Sequence, residues 1–249
     1  MARPILEIAN LSHHYGHPDS GIENINLTVA NGEYLVLAGA NGSGKTTLIR
    51  HMNGLLEPDS GEIRLHGKDI FNNLVHTRQS IGMVFQDADT QIVGETVFSE
   101  VAFGPENLRL CRAEIDDRVQ RILKQFGLDR FSQRHPGALS GGEKRKLTIA
   151  GILVMDPEII IFDEPFANLD YCTAENLAQL LRQLNQEGKT IIMASHDLDL
   201  IIGDAHRMMI MEKGKIAAIG SVQDLAPYLT HYGLKPLCTC KASENDVHL

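Results

Sequence analysis

The stretch Gly39-Ala40-Asn41-Gly42-Ser43-Gly44-Lys45-Thr46-Thr47 fits G-x-x-x-x-G-K-[ST], the phosphate-binding loop. Its flanks suit the motif. Tyr34 to Leu37 reads as a buried strand, and Thr47 to Met52 opens a helix that ends near Gly54. Gly39, Gly42 and Gly44 let backbone N–H groups curl inward around anionic oxygens, with Asn41 and Ser43 between them. The following helix adds the positive end of its dipole. Lys45 is expected to reach the β- and γ-phosphates of a nucleotide, and the Thr46 hydroxyl to ligate Mg²⁺. The chain also holds a decoy. Gly188-Lys189-Thr190 repeats the motif's end, but position 183 is Gln and a strand follows, so it reads as a turn.

Working outward, short β-branched runs recur at Ile5–Ile8, Ile25–Val29, Ile63–Leu65, Ile81–Phe85, Ile159–Phe162, Ile191–Met193, Met208–Met211 and Ile216–Ile219. Several are continuously apolar, as expected of strands buried on both faces of a parallel sheet. Others alternate, such as Ile25, Leu27 and Val29, and read as half-buried antiparallel strands. One helix carries Ile115, Val119, Ile122, Leu123 and Phe126 on a single face and stops at Gly127; another carries Leu177, Leu180, Leu181 and Leu184 and stops at Gly188. Strands alternating with helices predict an α/β core, interrupted by a mostly helical insertion over residues 90–155.

Composition narrows the function classes. The chain has 249 residues, 43% hydrophobic and 22% charged, which excludes disordered and collagenous chains. A formal net charge of −9 argues against broad nucleic-acid binding, which needs a basic surface. Four Cys suit a reducing compartment. The opening residues show no secretory leader, and apolar runs such as Ile152–Met155 fall far short of the ~20 residues that span a bilayer. A soluble, cytosolic protein is therefore expected.

A second phosphate-linked element is Glu158 to Pro165, a buried strand ending in Asp163 and Glu164. At the carboxyl edge of a parallel sheet these acids stand beside the phosphate loop. Asp163 is placed to hold Mg²⁺, and Glu164 to polarise the attacking water as general base.

A third element names a family. Leu139-Ser140-Gly141-Gly142-Glu143 resembles the signature sequence of the ATP-binding-cassette (ABC) ATPases. Further landmarks follow in the family's order over residues 4–228. The resemblance implies adenine stacking by Tyr15, a contact to Mg²⁺ and water from Gln86, a γ-phosphate contact from His196, and a dimer-contact loop at Ala167 to Asp170. It also implies a head-to-tail dimer in which Ser140, Gly141 and Gly142 bind, in trans, the ATP held by the partner's phosphate loop. The expected fold is a P-loop NTPase core (residues 4–88 and 156–228) with an antiparallel β subdomain. A helical signature subdomain (89–155) and a C-terminal tail (229–249) complete it. Two departures are small: Tyr171 stands where the family often has Pro, and Glu143 where Gln is common.

Residues 81–108, with Phe85-Gln86-Asp87-Ala88-Asp89-Thr90-Gln91-Ile92 followed by Val101 to Leu108, are similar to the ATPase subunits of energy-coupling-factor importers. That group includes cobalt and nickel uptake ATPases. The resemblance implies a homodimer or a pair with a paralogous ATPase. It also implies a small membrane-embedded substrate binder and a transmembrane scaffold docking near residues 86–108. Ile92, Val93, Val97 and Phe98 are the apolar side chains expected to receive it. The competing classes are a soluble cassette acting on nucleic acid or ribosomes, and a non-hydrolytic subunit that only binds ATP. The acidic charge disfavours the first, and Glu164 with His196 disfavours the second. His13, His14 and His17, and Cys238 and Cys240, carry metal-ligand chemistry, but they are expected to be solvent-facing residues rather than a site.

Overall fold

A computed structural model describes residues 4–16, 20–167 and 169–237. In chain order the strands are β1 (Pro4–His14), β2 (Gly21–Ala30), β3 (Tyr34–Ala38), β4 (Ser60–Leu65), β5 (Lys68–Asp69), β6 (Ile81–Val84), β7 (Ile159–Asp163), β8 (Thr190–Ala194), β9 (Arg207–Glu212) and β10 (Lys215–Gly220). The α-helices are α1 (Lys45–Met52), α2 (Leu74–Ser80), α3 (Ala88–Gln91), α4 (Val97–Asn107), α5 (Arg112–Gln125), α6 (Gly141–Leu153), α7 (Tyr171–Gln186) and α8 (Val222–Leu225).

The alternating strands assemble into an antiparallel sheet in the order β2-β1-β4-β5. The continuously apolar runs form a second sheet, β10-β9-β3-β8-β7-β6, parallel throughout except for β10. β3, β6, β7 and β8 are buried at every residue, as strands covered on both faces require. One core joins alternate residues of these strands (Leu35, Leu37, Ile161, Ile192) to the antiparallel sheet through Leu48, Ile49 and Met52 of α1. The other face (Val36, Phe162, Met193) packs the helical elements through Val101, Val119, Leu147 and Leu181. The phosphate-loop helix thus lies between two sheets, held by both.

The long helices end where their glycines predict. Gly127 (φ 66°) follows α5 and Gly188 (φ 95°) follows α7, both left-handed. Three expectations need correction. Val97 is fully buried in the core, and Ile92 and Phe98 pack against it, so of the four side chains expected to face a partner only Val93 is exposed. The tail expected from residue 229 starts later: a 3₁₀ helix spans Ala226–Tyr232, and Leu229 and Leu234 are buried in the same core. His13 is a half-buried residue of β1 rather than an exposed loop residue. His17, Asn168, Cys238 and Cys240 lie outside the described residues. Among the described residues, no group of His, Cys, Asp and Glu could hold a metal ion, and no helix is long and apolar enough to cross a membrane.

Candidate functional site

β3 delivers the chain to the phosphate loop at the carboxyl edge of the parallel sheet. A Cβ on Gly39 would stand 2.5 Å from Ser43 Oγ and 2.6 Å from the Met211 carbonyl, so only glycine fits. Gly44, in the left-handed region (φ 103°), is the residue before α1 and offers no side-chain cap. The other long helices have side-chain acceptors at this position, except α5. The first N–H groups of α1 are therefore left for a ligand. Ser43 Oγ is buried and has no hydrogen-bond partner among the described residues.

Lys45 is 6% exposed. Its Nζ donates to the carbonyls of Gly39 (2.7 Å) and Ala40 (3.2 Å) and lies 3.7 Å from Glu164 Oε1. Burial pushes its pKa down, and the charges of Glu164 and Asp163 oppose that shift. Asp163 ends β7, and burial raises its carboxyl above the ordinary range. Thr46 Oγ1 donates to Asp163 Oδ1 at 3.2 Å. A hydroxyl, a buried carboxylate and the nearby Gln86 amide make an oxygen set of the kind a hard divalent cation requires, so these residues fit Mg²⁺.

Glu164 turns the chain off β7 with φ 45°, an unfavourable conformation for a non-glycine residue and a mark of local strain. Its amide donates to the Ala194 carbonyl at 2.8 Å. The turn aims its carboxylate back over the loop. Oε2 accepts from Ser195 Oγ (3.2 Å) and from the His196 amide (3.4 Å), and Oε1 lies 3.0 Å from His196 Nδ1. A carboxylate fixed between a lysine and a histidine is oriented before any ligand arrives.

Lys45, Thr46, Glu164 and His196 line one cavity of about 580 Å³, together with Tyr15, Gln86 and the rest of Asn41 to Thr47; Gly39 and Asp163 stand behind its wall. Tyr15 is half exposed at the rim, with the His13 ring edge-on at 4.8 Å. Ser20, Gly21, Lys213 and Gly214 also line it, and sequence reasoning missed them. No spacing announced them: the turn between β9 and β10 reaches the loop only through the sheet order, where the Gly214 amide donates to the Ser43 carbonyl. Ser140, Gly141 and Gly142 do not line this cavity. Ser140 caps α6, exchanging hydrogen bonds with Glu143, and Asp170 caps α7 by accepting from the Thr173 amide at 3.0 Å. A Cβ on Gly142 would stand 3.1 Å from Thr173 Cγ2, so the signature turn and the start of α7 lie together on a separate face.

The arrangement is that of a nucleoside-triphosphate hydrolase, and the comparisons agree. The ABC transporter family's sequence profile matches residues 22–167. The chain belongs to the ABC transporter family. An energy-coupling factor transporter ATP-binding protein, EcfA, from Methanocaldococcus jannaschii is 42% identical over 224 residues, covering 89% of this chain and 80% of that protein. A relative named EcfA2 from Methanospirillum hungatei is also 42% identical over 89% of the chain, which spans only 56% of that relative's length. The solved structure of cbiO1 from Clostridium perfringens, described as part of the ABC transporter complex cbiONQ, matches with a TM-score of 0.80. It is 35% identical and covers 89% of this chain and 90% of that one.

Proposed function

We propose that this protein is the ATP-hydrolysing subunit of a membrane importer of the energy-coupling-factor type, peripheral on the cytoplasmic face. One observation carries the reading: the phosphate loop, the Glu164 carboxylate, Gln86, His196 and an exposed tyrosine converge on a single cavity, with Asp163 behind it bonded to Thr46. Lys45 and the loop amides bind the β- and γ-phosphates, and Tyr15 stacks on adenine. Thr46, Asp163 and Gln86 hold Mg²⁺, which supplies charge neutralisation of the phosphate oxygens. Glu164 takes the proton of the attacking water, and His196 orients the γ-phosphate.

Ser140, Gly141 and Gly142 complete the site of a partner subunit in a head-to-tail dimer, with Asp170 at the contact. The partner is a second copy or a paralogous ATPase. ATP favours the closed dimer because only that state engages both faces of the nucleotide, and hydrolysis reopens it.

The transmembrane scaffold docks in a groove of about 600 Å³ between the core and the helical region. Leu55, Val75, Val93 and Phe103 are the exposed apolar residues along it, a better set than the one expected from sequence. A small membrane-embedded binder selects the solute, a vitamin or a transition-metal ion such as cobalt or nickel.

The test is affinity purification of the Glu164→Gln chain from native membranes in ATP and Mg²⁺. Recovery of a multi-span scaffold and a small apolar binder is expected. Recovery of only soluble partners or RNA overturns the importer reading.

A further inference from the structure

Arg145 is 5% exposed on α6 and, among the described residues, makes no ion pair. Asp87 acts on it only at longer range. Burying a guanidinium without a carboxylate is expensive, and an apolar side chain of similar volume would pack there at less cost. The group is satisfied instead by main chain. Nη1 donates to the Phe85 carbonyl at 2.6 Å and Nη2 to the Gln86 carbonyl at 2.5 Å.

Those two carbonyls belong to a segment that borders both the docking groove and the nucleotide cavity. Phe85 lines the first and Gln86 the second. Arg145 itself stands little more than a turn from the start of α6, where Ser140 caps the helix. The far end of α6 is anchored differently: Ile152 rests on Gly82 of β6, where an added Cβ would meet Ile152 Cγ2 at 2.3 Å. Past the close approach of Gly142 to Thr173, a cavity of about 330 Å³ opens between α6 and α7, lined by Ile149 and Leu180. Lys144 adds a second tie, 2.6 Å from Asp89 of α3. Arg145 and Lys144 thus tie the near half of α6 to residues 85–89, beside the packing of Leu147 in the core.

We propose that Arg145 is a positioning residue that ties the signature turn to the 85–86 backbone, so that the phosphate site at Ser140–Gly142 is in register only while Phe85 and Gln86 are in place. This rests on the head-to-tail reading above.

The experiment measures ATP-driven dimerisation of the Glu164→Gln chain by size exclusion with light scattering, alone and with Arg145→Met or Arg145→Lys added. Binding of a fluorescent ATP analogue is measured on each monomer at high dilution. Arg145→Met is expected to weaken the dimer at least about tenfold, the worth of one charge-assisted hydrogen bond, while monomer affinity moves less than about twofold. Arg145→Lys, which keeps a charged donor, is expected to recover part of the loss. A residue that only stabilises the fold would lower melting temperature, nucleotide affinity and dimerisation together, and that pattern overturns the proposal. So does undiminished dimerisation of Arg145→Met. If that variant does not fold, Arg145→Gln, which keeps a single donor, is judged by the same criteria. A Glu164→Gln chain with native Arg145 that stays monomeric in ATP overturns the head-to-tail reading itself, and the tie with it.

Discussion

Glu164 combines a left-handed backbone, near-complete burial and three polar neighbours, and the strain is what turns a strand-end carboxylate back toward the phosphate loop. Lys45 faces it with two loop carbonyls as its standing partners, which phosphate oxygens would replace. Lys45→Ala is expected to weaken ATP binding by roughly ten- to a hundredfold, the range of a lost charged hydrogen bond, in a nucleotide titration. His51 illustrates a different residue-scale effect. It is fully buried on α1; its Nδ1 donates to the Thr47 carbonyl at 2.8 Å, and its ring packs at 4.8 Å from His13. Burial holds its pKa below the ordinary imidazole value. The unfolded chain therefore binds a proton at this position that the folded chain refuses, so stability is full above about pH 6.5 and falls as pH drops below it. Melting temperatures from about pH 7 to pH 5 should show this slope, and His51→Gln should flatten it.

At the scale of elements, helix ends do much of the placing. Asp170 caps α7 by accepting from the Thr173 amide, and its second carboxylate oxygen accepts from Thr173 Oγ1 at 2.6 Å. Asp170→Ala is expected to cost about 1 kcal/mol, read as a drop of about 2–4 °C in melting temperature. α4 shows why the 81–108 segment was only partly legible. Val97, Val101 and Ala102 are buried while Phe103 of the same helix is 54% exposed, and Pro105 lies inside the helix. A run this apolar carries no clear stripe, so which residues face the core is decided by α5 and α6 packing against it. The loop before α4 is pinned by Glu100, whose buried carboxylate accepts from the amides of Val93 (2.8 Å) and Gly94 (2.7 Å). That contact presents Val93 on the groove rim.

The whole molecule brings two surfaces to one segment: a nucleotide-sized cavity reached by Gln86 and an apolar groove reached by Phe85, where we propose that the membrane scaffold docks. A charge in the groove should separate the two. Phe103→Glu in the Glu164→Gln background is expected to lose the scaffold in the membrane capture and to keep ATP binding in a nucleotide titration. Burying a Phe-sized side chain against a partner is worth about 1.5–3 kcal/mol, and a carboxylate there adds a desolvation cost.

Local chemistry was readable from the chain alone. The phosphate loop, the acids ending β7, the signature turn and the glycines ending α5 and α7 each depend on a few adjacent residues, whose types state their own geometry. The alternating and continuous apolar runs likewise sorted the antiparallel strands from the parallel ones, because side-chain period follows burial on one face or two. Packing decided the rest. The two-residue β5, the burial of Val97, the docking of Leu229 and Leu234, the approach of Lys213 to the nucleotide cavity and the hold of Arg145 on residues 85–86 join positions far apart in sequence. Such contacts leave no local period or spacing, since they arise only when the sheet order brings separate elements to one place.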